Sequence, residues 1–204
     1  MGTLPQKLKT REHRSRTVPK RIYDCAIDLF SSRGFDNVKV ADICKAADVS
    51  TGTFYYYFPS KESIFFGYAE AIDDLMDDSI EELKGKTASE TLKNLVLFKV
   101  RASIDGGADT SNVSFCAELK HHKDVALDIR RTAYGYYMNA IERGIRSGEF
   151  RDDLNLYSAT SVLRYMIGGL CLHWAIQPEN VDIETESERL VNAFIDMLKP
   201  HQNG

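Results

Sequence analysis

Residues 40–61, VADICKAADVSTGTFYYYFPSK, constrain this chain more than any other stretch. Val40, Ile43 and Ala47 fall at i, i+3 and i+7, one face of a short helix. Asp48 interrupts it, and an Asp tolerates the left-handed conformation better than most residues. Val49 is the apolar plug of the turn and Ser50 is a good N-cap. The next helix is predicted over about 51–58, because Pro59 cannot extend it. Phe54 and Phe58 face inward together, which leaves Ser50, Thr51, Thr53 and Tyr57 outside with parts of Tyr55 and Tyr56. Two short helices on a tight turn make a helix-turn-helix, and the second has the chemistry a DNA groove needs. Gly52 lets the helix approach closely. Thr and Tyr hydroxyls donate to phosphate oxygens, and a Thr methyl can touch a thymine methyl. Lys61 can neutralise a phosphate. The same spacing also fits a solvated helix with three packed tyrosines, since this geometry occurs as plain structure.

Charge decides how that stretch is used. The net charge of −4 argues against a nucleic-acid binder, but its distribution does not. Residues 1–60 hold ten Lys/Arg against six Asp/Glu, so the head carries +4 and the remainder −8. A basic head on an acidic body suits a protein that meets phosphate with one end. Within the head, residues 1–16 carry Lys7, Lys9, Arg11, Arg14 and Arg16 against Glu12 alone. They read as a disordered basic arm that either lies along DNA or is a solvated tail.

Beyond position 16 the pattern is helical throughout, with no strand signal. A first helix runs from Thr17 and Pro19 to a stop at Gly34. After the helix-turn-helix, a helix capped by Ser60 runs to Gly85, about 25 residues and ~40 Å long, a natural lever. Further helices are predicted at 88–104, 113–120, 124–147, 154–176 and 184–199, with a loop at 106–112. The expected architecture is all-α, about nine helices: a three-helix DNA-binding head at 17–59 and a larger helical domain at 60–204. Apolar residues make up 43% of the chain, enough for a true core. No signal-peptide pattern is present, and Cys25, Cys44, Cys116 and Cys171 form no CxxC pair, so a cytoplasmic protein is expected. The longest uncharged run, 165–178, is too short to span a bilayer.

The segment resembles the DNA-binding motif of tetracycline-repressor-type (TetR family) transcriptional regulators. The resemblance rests on Gly34-Phe35, Asp42-Ile43, Val49-Ser50, the run from Gly52 through Thr53, Phe54, Tyr55, Tyr56 and Tyr57 to Phe58, and Ser60-Lys61-Glu62. It implies DNA contacts from Ser50, Thr51, Gly52, Thr53, Tyr55, Tyr56 and Lys61. Three positions depart from the family pattern. Lys39 stands where a Ser or Thr usually caps the first motif helix, and is itself placed for a phosphate. Asp48 replaces the usual turn Gly. Thr51 replaces a frequent Lys, which removes one positive charge and should shift which bases are read.

Two features of the body ask for more than core packing. Gly168-Gly169 sits mid-helix, where each Gly costs up to ~1 kcal/mol relative to Ala. The pair marks a close backbone approach, a kink or room for a ligand. The resemblance implies that the last two helices pair with their two-fold mates, placing Gly168, Gly169, Phe194 and Leu198 at a homodimer interface. Two heads then read a palindromic operator in double-stranded DNA. The second feature is the polar and aromatic set Phe98, Arg101, Phe115, Cys116, Tyr134, Tyr137, Met166, His173 and Trp174. Its members are either ordinary core or the lining of a small-molecule effector pocket. The His121, His122, Cys116, Cys171 and His173 spacings do not favour a metal site, and no cofactor fingerprint or nucleophile–base pair suggests an enzyme. The expected function is a ligand-responsive repressor released by a small hydrophobic or aromatic effector. A regulator answering to a protein partner or to redox state is the alternative, with a helical-bundle enzyme behind it.

Overall fold

The computed structural model describes residues 18–120, 128 and 131–200, with only the backbone described at 67–71. The expected basic arm, Thr17, His121, His122 and the stretch around 124 lie outside the described residues. Among the described residues the chain forms nine α-helices, one 3-10 helix and no strand. It divides into two compact units that meet between Ile64 and Phe65.

The first unit holds α1 (Val18–Arg33), α2 (Val40–Ala47) and α3 (Thr51–Tyr57). Ile22, Ala26 and Phe30 of α1, Ile43 and Ala47 of α2 and Phe54 of α3 are all essentially inaccessible. The bounds of α2 and α3 follow the local chemistry. Asp48 adopts φ 51°, ψ 57°, the only left-handed non-glycine among the described residues. That turn lets the Val49 N–H reach back to the Cys44 carbonyl at 3.0 Å. The helix expected from Ser60 onward begins instead as a 3-10 helix, Glu62–Gly67. The Ser60 amide donates to the Ser63 hydroxyl at 3.3 Å and the Ser63 amide to the Ser60 hydroxyl at 3.2 Å, which tightens the first turn.

The second unit is built around α5 (Ala88–Gly106), which packs against α4 (Tyr68–Leu83), α6 (Ala108–Lys120), α7 (Thr132–Ser147), α8 (Leu156–Ile176) and α9 (Ile183–Leu198). Thr87 and Glu90 form a reciprocal cap on α5. The Glu149 carboxylate accepts from the Ala88 and Ser89 amides at 2.7 and 2.9 Å, an anion on a helix N-terminus. One boundary differs from expectation. The loop at 106–112 is in fact helix from Ala108, since the single residue Gly107, at φ 88°, suffices to break the chain direction. The helix expected at 124–147 is described from Thr132, after an extended Arg131, to Ser147.

Candidate nucleic-acid interface

The short helix α3 is held from beneath and bare above. Phe54 anchors it, with ring centroids 5.3 Å from Tyr55 and 5.8 Å from Phe58. The Ser50 hydroxyl caps it, accepting from the Thr53 amide at 3.0 Å and bonding the Thr53 hydroxyl at 2.8 Å. Lys39, Ser50, Thr51, Gly52, Tyr55 and Tyr56 are exposed, and Thr53 is half-buried. Tyr56 is 81% exposed, so its hydroxyl and ring are open to a partner. The three tyrosines are therefore not packed under other residues of the head. An exposed aromatic cluster at the tip of a capped helix is an outward-facing contact surface.

The two lysines that flank the motif are held in different ways. Lys39 has no side-chain acceptor to cap α2, and the Asp42 carboxylate reaches back instead to the Lys39 amide at 2.9 Å. Lys39 is exposed and, with Tyr55 and Pro59, lines one open depression of the head. Lys61, assigned to phosphate from its position, is turned inward. Its ammonium donates to the Phe35 and Val38 carbonyls at 2.8 and 2.9 Å and lies 3.8 Å over the Phe35 ring. Those bonds tie the chain after α3 to the α1–α2 connection, so Lys61 positions the motif with at most one donor left over. Arg21, which no motif flagged, does similar work, donating to the Ala47 carbonyl at 2.8 Å where α2 ends. Lys20, Arg33 and Lys45 are further exposed cations of the head, detectable only from their solvent exposure.

Gly52 separates contact from stability. A Cβ added there meets nothing nearer than the Ser50 hydroxyl at 3.7 Å, so packing within the head does not require glycine. Gly52→Ala should fold at least as well as the parent, since Ala is the better helix former by up to ~1 kcal/mol. Its operator affinity should fall roughly tenfold or more, the ~1–3 kcal/mol worth of one good groove contact. Unchanged affinity in a gel shift would remove α3 from the groove.

The body places the effector candidates in two groups. Phe98, Tyr134, Tyr137 and Trp174 are buried, and Phe115 and Met166 are half-buried. Met166 lines an apolar cavity of about 10 Å³ with Val96, Leu163, Ile167 and Leu170, barely the space of one water. Arg101, Cys116 and His173 face outward, which corrects their core-facing assignment. Arg101 pairs at 3.5 Å with Glu184 on the surface. Cys116 and His173 fall out of phase with the buried stripes 110, 114, 117 on α6 and 163, 167, 170, 174 on α8. Of the proposed interface residues, Phe194 and Leu198 belong to the protomer's own core, at 1% and 3% exposure. Gly169 is exposed and a Cβ there meets nothing within 4 Å, whereas Gly168 is half-covered.

A group of charges inside the body escaped the sequence reading. Asp73 of α4 is buried and gripped by Arg131 through bonds of 3.0 and 2.5 Å. Arg164 is buried too, 5.7 Å from the Tyr134 ring and bonded to the Tyr165 hydroxyl at 2.8 Å. Burial pulls the Lys99 ammonium below its ordinary pKa and pushes the Tyr134, Tyr137 and Cys171 protons above theirs.

Comparison with known proteins agrees with this arrangement in both units. The family profile described as "Bacterial regulatory proteins, tetR family" matches residues 22–68. That described as "MAATS-type transcriptional repressor, C-terminal region" matches residues 112–200. The HTH-type transcriptional regulator YdgC of Bacillus subtilis is 30% identical over 159 residues, covering 72% of this chain and 76% of that protein. The fatty acid metabolism regulator protein of Bacillus subtilis is 24% identical over 183 residues, 87% of this chain and 92% of that one. Among solved structures, the transcriptional regulator FadR from Bacillus subtilis in complex with stearoyl-CoA shares the fold. Its TM-score is 0.65 at 20% identity, with 86% of this chain and 97% of that chain covered.

Proposed function

The chain belongs to the tetR family of bacterial regulatory proteins, DNA-binding transcriptional regulators rather than enzymes, and from that premise we propose that it is a homodimeric repressor released from a palindromic operator by a small molecule held in the body. The observation that carries the dimer is a stripe on α8. Val162, Tyr165, Leu172 and Ile176 are 44%, 56%, 39% and 60% exposed, and Gly169 lies in line with them. The steps along this stripe are 3, 4, 3 and 4 residues, the rhythm of a helix packed along its length on another helix. The small residue at its centre admits a close backbone approach. Two-fold pairing through this stripe gives two heads, and two heads match a palindrome.

The effector reading draws on the relatives. The solved FadR from Bacillus subtilis carries stearoyl-CoA, a ligand with a long apolar chain. Buried aromatic side chains of the body, Phe98, Tyr134, Tyr137 and Trp174, suit an apolar or aromatic portion of a ligand here. A ligand releases DNA only in so far as it binds one conformer of the protein better than the other.

Footprinting on the DNA upstream of the chain's own gene tests the first part: two protected half-sites related by dyad symmetry are expected. Sequence-independent binding alone would defeat the repressor reading. Gly169→Arg tests the second part, since the protomer itself has room for the side chain. Sedimentation should then give a monomer, and operator affinity should drop by roughly 100-fold or more, as linked half-sites lose their mutual effective concentration. A dimeric Gly169→Arg protein would move the interface elsewhere.

A further inference from the structure

The recognition helix carries a restricted set of side chains for its task. Apart from the buried Phe54, α3 offers two threonines, one glycine and three tyrosines, TGTFYYY, with no charge and no amide. The side-chain pairings that name a base in the major groove place Arg or Lys on guanine, Asn or Gln on adenine, and Glu or Asp on cytosine. None of those residues stands on α3. A hydroxyl discriminates poorly, because it both donates and accepts. A methyl group discriminates better, since thymine alone of the four bases presents one in that groove. The methyl groups of this helix belong to Thr51 and Thr53, and the two are held differently. The Thr53 hydroxyl is bonded to the Ser50 hydroxyl at 2.8 Å, and the Thr53 amide donates to the same Ser50 oxygen at 3.0 Å. Holding Oγ1 of a β-branched side chain fixes χ1, so the Thr53 methyl is held with it. Thr51 makes no side-chain hydrogen bond among the described residues, so no such tie sets its rotamer. Between them Gly52 has no side chain, and a Cβ there would meet only the Ser50 hydroxyl within 4 Å.

We propose that Thr53, preset by Ser50, is the residue by which α3 selects thymine, through contact of its methyl with the thymine C5 methyl in each half-site. The inference rests on α3 entering the groove of a two-fold operator, and adds which base it singles out there. Ser50 is exposed and Thr53 half-buried, so both remain open to a partner. Removing one methyl from water on contact is worth about fourfold in affinity. A rotamer already fixed in the free protein spares the ordering cost that a loose side chain pays on binding. The pair supplies a polar complement as well. Of its two hydroxyl hydrogens, one closes the Ser50–Thr53 bond and the other is left to donate, and thymine presents O4 as an acceptor beside its methyl. No group in this contact is charged, so it releases no counterion and leaves the salt dependence of binding to the cations of the head.

The test uses the full-length protein and the operator that footprinting defines, with uracil placed for thymine one position at a time, symmetrically in both half-sites. Uracil keeps O4 and lacks the methyl. Equilibrium gel shifts should find at least one position where uracil costs about 15-fold, roughly fourfold per half-site. Thr53→Ser keeps the hydroxyl and its bond to Ser50 but lacks the methyl. It should bind the thymine operator about 15-fold more weakly than the parent, and the uracil operator no more weakly than the parent does, so that the two losses do not add. Its salt slope should equal the parent's, since a methyl displaces no cation. Thr53→Val, which keeps a methyl, serves as the second variant should the Ser protein fold poorly, and should still tell thymine from uracil. Thr51→Ser should leave that discrimination in place. Indifference to uracil at every position, a penalty that survives Thr53→Ser, or one erased by Thr51→Ser instead, would overturn the assignment while leaving a sequence-specific regulator intact. If the protein leaves no sequence-specific footprint on any DNA, both readings fail together.

Discussion

Phe54→Ala is expected to abolish specific DNA binding while the body stays folded. The side chain is wholly buried beneath α3, and its ring is the partner of both Tyr55 and Phe58. Truncating a buried Phe costs about 3–5 kcal/mol, as lost transfer energy plus the cavity left behind. Whole domains are stable by only ~5–15 kcal/mol, and units as small as the described head, residues 18–64, sit at the low end. A loss of that size melts the head or leaves α3 unanchored, and a loose recognition helix cannot hold Tyr55, Tyr56 and Thr51 in register with a groove. The only tryptophan of the chain, Trp174, lies buried in α8 and so reports on the body alone. The variant should lose helical circular dichroism early in a melt, keep the parent's Trp174 fluorescence transition, and give no footprint. Operator affinity within twofold of the parent would contradict the role given to Phe54.

Asp73→Ala should be the most damaging single change in the body. The Asp73–Arg131 pair is nearly sealed from water, with side-chain exposures of 9% and 7%. Removing one partner of such a pair strands the other charge, at a cost of about 3–5 kcal/mol. Here the stranded guanidinium would share its surroundings with Lys99 and Arg164, which adds like-charge repulsion. At ~2–4 °C per kcal/mol for a chain of this size, the Trp174 fluorescence midpoint should fall by roughly 6–20 °C. The double replacement Asp73→Leu with Arg131→Met removes both charges and should recover most of the loss, since apolar substitutes for buried pairs are often neutral or stabilising. By contrast Glu186→Ala, which breaks the exposed pair with Arg189, should leave the melting midpoint essentially unchanged, because solvent screens such pairs. An Asp73→Ala protein as stable as the Glu186 variant would mean that the buried pair is not closed in solution.

Lys61 and Asp73 show where a linear reading loses its grip. Lys61 was assigned to phosphate because it follows the tyrosine run, and no local pattern singles Asp73 out among the acids of α4. Each was claimed instead by groups far away in the chain: Lys61 by carbonyls 26 and 23 residues earlier, Asp73 by an arginine 58 residues later. His173 and Cys116 failed differently. Their residue types suit a pocket, but a helix of known phase has only one inward face, and an error of one position turns a side chain by about 100°.

What the order of residues determined unaided was everything whose cause lies within a few positions: the left-handed Asp48, the Ser50 cap, the stop at Pro59, the buried Phe54 and the helical character of the described residues. Caps, turns and amphipathic periods are local energies, so they can be read locally. What only the folded molecule decided was which cations find a partner, which face of α8 remains uncovered, and that Phe194 and Leu198 turn inward. Those outcomes depend on distances between helices that are remote in sequence, and on the exclusion of water that makes a buried charge expensive, neither of which is written in any single stretch of the chain.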